Sequence, residues 1–89
     1  MEKMIKVLVL INQQILISQI EEVGADLGEP DCKLIKPFEM KQSTTGDVYL
    51  ESWNSTYTPD DTFMISSEKI ITLINPKSTI LEKYQKLIK

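Results

Sequence analysis

The chain has no histidine, and all ten of its basic residues are lysine, so arginine is absent too. Without histidine it lacks the commonest general base and the commonest side-chain ligand for transition metals. Without arginine it lacks the planar fork that grips phosphate at two points and stacks on bases. One cysteine, Cys32, excludes an internal disulfide framework and fits a reducing compartment. Three glycines, none in a phosphate-cradling pattern, leave no nucleotide loop. No apolar run is long enough to span a bilayer. Residues 5–11 are apolar but are broken by Lys6 and lead into Asn12-Gln13-Gln14, with no small-residue cleavage site. The expectation is a cytoplasmic protein with no membrane partner.

What is present suits one folded domain over residues 1–89, with 42% apolar and 26% charged residues. A core this small gains from association, since no disulfide or metal supplements it. Thirteen acids against ten bases give a net charge of −3, which weighs against a plain nucleic-acid binder. A ring of subunits can still gather lysines on one face.

Residues 4–11 are β-branched and short, as in a strand buried on much of both faces. A polar turn at Asn12-Gln13-Gln14 and a second run over 15–23 complete a hairpin, against a competing helix over 13–23. Residues 24–31 hold two glycines and a proline and form a loop. Residues 32–40 alternate as a third strand, in which Pro37 must face outward from an edge or sit at a bulge. Residues 48–53 make a fourth strand, and the polar stretch 54–62 an exposed excursion. Phe63-Met64-Ile65 and residues 70–74 are apolar runs that flank Ser66-Ser67-Glu68-Lys69. After Asn75-Pro76, a possible cap and first turn, the period becomes helical through Ile80, Leu81, Tyr84, Leu87 and Ile88. Thr79 and Glu82 offer a second capping possibility, and Lys83, Lys86 and Lys89 load the helix C-terminus. The pattern predicts a mainly β protein: a small, strongly bent, five-stranded antiparallel barrel over about 4–75 and a C-terminal helix over about 76–89. The helix is expected to cover the open end of its own barrel or a neighbouring subunit.

In this order of runs the chain resembles the Sm-like family, in particular the short Sm-like proteins of marine cyanophages. Residues 10–18 resemble the family's first hairpin, and residues 63–73 resemble its second motif. The resemblance implies an SH3-like barrel and a cyclic homo-oligomer built by edge-to-edge strand pairing. It also implies single-stranded RNA bound on the ring, inside a host cell if the chain is phage-encoded. Several positions depart from the family. The first-motif places hold Gly24, Leu27 and Gly28, the Arg-Gly of the second motif is Ser66-Ser67, and the helix is C-terminal rather than N-terminal.

On this reading the nucleic-acid candidates are Ser66, Ser67, Lys69 and Asp26, and the subunit-contact candidates are Phe63, Met64, Ile65, Ile70, Ile71 and Leu73. Ser66 to Lys69 also read as a hydrogen-bonded polar turn, the reading favoured because serine is a common turn former. Tyr49, Trp53 and Tyr57 are candidates for base stacking, with core or contact roles favoured. Asp60-Asp61, and Asp26 with Glu29 and Asp31, lack the spacing of a calcium loop and read as solvated acids. Cys32 has no histidine to activate it. No catalytic residue, metal site or cofactor is expected. The function follows as a non-enzymatic ring that binds RNA, with an assembly module lacking an RNA site as the alternative.

Overall fold

The computed structural model describes residues 4–24 and 26–88. Six strands and one helix follow in order: β1 (Met4–Leu10), β2 (Ile15–Glu22), β3 (Cys32–Gln42), β4 (Val48–Ser52), β5 (Thr62–Ile65), β6 (Ile70–Ile74) and α1 (Ser78–Leu87). A 3-10 turn, Ser67–Lys69, joins β5 to β6. Every pairing is antiparallel, and the sheet order is β4-β3-β2-β1-β6, with β5 also on β3.

β1 and β2 form the expected hairpin, so the competing helix over 13–23 is not formed. The Asn12 side chain accepts the Gln14 amide at 3.0 Å, while Gln13 takes a positive φ of 72° to close the turn. β3 carries two partners on one edge: its first part pairs with β5 and its last part with β4. The sheet therefore has β6 at one end and β4 and β5 at the other. Laid flat, β5 and β6 would stand four strand spacings apart, about 19 Å. The link from Ile65 to Ile70 reaches at most about 18 Å even when stretched, and here it is coiled into the 3-10 turn. The sheet must curl. The expected mainly β antiparallel fold is present as a curled sheet of six strands rather than five, open between β5 and β6 among the described residues.

Alternation along β1 and β2 feeds two apolar clusters, one on each face of the sheet. Leu8, Leu10, Leu16, Ile20, Cys32 and Leu34 fill the inner face, and Trp53, Ile65 and Ile70 pack on them. Val7, Ile17 and Tyr84 form the other cluster, joined by Phe38, Met40, Leu50, Ile80 and Ile88. Both faces of β1 and β2 are thus covered, as their unbroken apolar runs require. The helix covers the outer face of its own sheet. It does not close the open end, which was one of the two places expected for it.

α1 is keyed by one side chain. Lys36 and Pro37 of β3 together oppose Ser18 of β2, since Ile17 pairs with Phe38 and Gln19 with Ile35. The Tyr84 hydroxyl enters this bulge. It accepts the Gln19 amide at 3.1 Å and donates toward the carbonyls of Lys36 at 2.8 Å and Ile35 at 3.2 Å. Ser18, wholly buried, donates its hydroxyl toward the carbonyls of Gln19 and Ile35. Lys36 holds the left-handed φ of 52° that the bend demands, and its amide donates to the Asp61 carbonyl at 2.6 Å. Pro37 sits at the bulge, as one expectation had it, but is fully buried rather than facing outward.

The helix start differs from expectation. Its N-cap is Lys77, which makes no side-chain cap bond, and Pro76 precedes the first turn. Asn75 instead accepts the Lys6 ammonium across the β1–β6 edge, and Thr79 lies inside the helix. Lys89 lies outside the described residues.

Burial pushes the Tyr84 phenol up to about 12. Its folded value exceeds the ordinary 10, so its contribution is complete below pH 10 and is lost as pH rises toward 12. Tyr84→Phe leaves the Gln19 amide without its acceptor. It is expected to lower stability by about 1–3 kcal/mol in urea unfolding at pH 7, and the gap to wild type should narrow above pH 10.

Candidate functional site

The polar link between β5 and β6 is built as a capped turn. The Ser66 hydroxyl accepts the Glu68 amide at 3.4 Å, and the Ser66 carbonyl accepts the Lys69 amide at 3.0 Å. The Lys69 carbonyl accepts the Ile11 amide at 2.9 Å, which ties the turn to the β1–β2 hairpin. Asp31, at the entry to β3, receives both the amide and the hydroxyl of Ser67, each at 2.7 Å. These hydrogen bonds, the amide's first, hold the Asp31 carboxyl below its ordinary 3.8. The Ser67 hydroxyl is therefore spent on Asp31.

Three of the four nucleic-acid candidates come together here. Asp26, Ser66 and Ser67 line one surface depression of about 260 Å³, together with Glu29, Asp31 and Glu68. Lys69 is exposed at the end of the turn and does not line it. Four carboxylates thus surround the two serines, giving a local charge that repels phosphate. Among the described residues, no three acids or cysteines converge in a geometry fit to hold a metal ion. Asp31, expected as a solvated acid, is instead bonded to Ser67. Its contact with Ser67 spans 36 positions, and no local spacing signals it.

Elsewhere the lysines are largely occupied. Lys41 pairs with Glu51 at 2.9 Å and Lys33 with Glu21 at 3.9 Å, across neighbouring strands. Lys36 and Lys83 donate to the carbonyls of Ile88 and Val48. Lys69, Lys77 and Lys86 have no such partner among the described residues; Lys69 ends the 3-10 turn, and the other two stand at opposite ends of α1.

The subunit-contact candidates divide by direction. Phe63 meets Trp53 edge-on, with ring centroids 5.5 Å apart, and Ile65 and Ile70 pack on the inner cluster. Met64, Ile71 and Leu73 are 45%, 63% and 47% exposed, and Ile74, outside the candidate set, is 47% exposed. The aromatic candidates do not form a platform. Trp53 turns to the core and donates its indole N–H to the Gln14 side chain at 3.3 Å, while Tyr49 and Tyr57 remain exposed. Cys32 is buried, and burial, then the charges of Asp31 and Glu22, push its thiol up, away from a reactive thiolate.

Asp31 gives the turn an acid sensitivity. Because its folded pKa is depressed, its stabilising contribution is present above pH 3.8 and disappears as pH falls through the lower folded value. Thermal melts of wild type and Asp31→Asn should differ at pH 6 and converge toward pH 2. A constant gap would mean that Asp31 ionisation does not hold the turn.

Among curated proteins, none matches this chain. Residues 3–89 match one family nearly end to end, and the chain belongs to it: the Family of unknown function (DUF6561).

Proposed function

We propose that this protein is a non-enzymatic assembly module whose copies join edge to edge, the free side of β6 pairing with the free side of β5 in the next copy. The observation that carries this reading is the state of β6. It is the last strand of the sheet, paired only with β1 among the described residues, and Ile71, Leu73 and Ile74 stand exposed along it. An apolar edge of this kind invites another strand. β5 offers a different unpaired edge at the other end, so joining the two is a head-to-tail contact, which closes into a ring when the rotation permits. An antiparallel join runs Asp60 and Asp61, just before β5, alongside the end of β6 and Lys77, so opposite charges meet. Extra burial also supplements the small core.

This reading keeps the ring implied by the Sm-like resemblance and sets aside RNA as its ligand. The acidic surroundings of Ser66 and Ser67, and the occupied Ser67 hydroxyl, favour the version without an RNA site.

Light scattering on the full chain at micromolar concentration should give a mass of several subunits. Ile71→Lys, at an exposed position, should shift the population toward the monomer without changing its fold by circular dichroism. A wild-type monomer sinks the proposal. Labelled single-stranded RNA should show no salt-dependent binding at low salt, and a steep salt dependence weakened by Lys69→Ala would restore the RNA-binding ring.

A further inference from the structure

The curl of the sheet leaves the inner face open at one end, as a cleft of about 330 Å³. Buried Ile20 and Cys32 form its floor, and Ile70, Leu73 and Met4 its sides. α1 packs on the opposite face and leaves this cleft uncovered. Its volume and mainly apolar walls, with a few polar groups at the lip, are those of a small-molecule site.

The lip is asymmetric in charge. Its one cation, Lys6, is engaged by the Asn75 side chain. Of its two carboxylates, Asp31 is kept ionised by Ser67, and Glu22 is exposed with no partner among the described residues. Beyond Asp31 and Ser67, which border both hollows, the surface continues into the depression that carries Asp26, Glu29 and Glu68. A molecule entering here meets hydrocarbon below and negative potential at the mouth.

We infer that this cleft binds a small organic cation, with an apolar body lodged against Ile20, Ile70 and Leu73 and a primary ammonium group at the lip beside Glu22 and Asp31. An anion of the same shape is repelled at the mouth, and a neutral analogue gains only the burial of its chain. The site is made by a single chain and goes beyond the assembly reading.

Amide NMR titrations of the full chain with hexylammonium, hexanol and hexanoate test this. Hexylammonium should bind several-fold more tightly than hexanol, and hexanoate most weakly. The largest shifts should fall at Ile20, Cys32, Ile70 and Leu73. Glu22→Gln, an exposed change, should weaken hexylammonium roughly two- to five-fold, the range of an exposed ion pair, and leave hexanol unaffected. Leu73→Ser should weaken both. Equal affinity for the three compounds, or shifts centred away from these residues, overturns the inference.

Discussion

The buried hydroxyl of Tyr84 ties the helix to the sheet at the point where the sheet bends. The bulge of β3 against β2 frees backbone groups that a regular ladder would have paired, and buried groups of that kind are costly when left alone. Tyr84 reaches from α1 to accept one and donate to the others, and Ser18 serves the remaining carbonyl face from below. Its ring fills the outer cluster beside Phe38, edge-on at 5.8 Å. One residue thus supplies packing, hydrogen bonding and placement of the helix together. Lys36 depends on it as well, because a lysine in left-handed backbone persists only where its surroundings fix it.

From that bend the rest follows. β3 can serve β5 before the bulge and β4 after it, and this brings the 3-10 turn across to β1 and leaves β6 as a terminal strand. The helix, drawn to the outer face, cannot plug the inner one. The same geometry therefore produces both an unpaired apolar edge and an open apolar cleft. Acids gather at the turn because residues 26–31 and the turn meet there, and Asp31 takes two short hydrogen bonds from Ser67.

Much of the local structure was legible in the sequence, because period and punctuation are local properties. The hairpin at Asn12, the proline at a bulge, the polar turn after Ile65 and the helical stripe through Tyr84 all follow from neighbours a few residues apart. The open sheet, the side that α1 covers and the true N-cap depend on contacts between distant segments. Asn75 looks like a cap until Lys6 claims its carbonyl oxygen from the other end of the chain. The four acids of the depression lie on two segments, one of them just before β3 and the other in the 3-10 turn, so only the folded chain makes them neighbours.

The excursion between β4 and β5 has its ends fastened to consecutive residues: the Trp53 amide donates to the Pro37 carbonyl, and the Asp61 carbonyl accepts the Lys36 amide. The intervening residues are mostly exposed, with Tyr57 at 87%. With both anchors fixed, the sheet does not register how much chain lies between them, and each doubling of the loop costs only about 0.6 kcal/mol. This loop, anchored at the middle of β3, is the natural place to graft a tag or a fluorophore, since none of residues 54–60 lines the cleft.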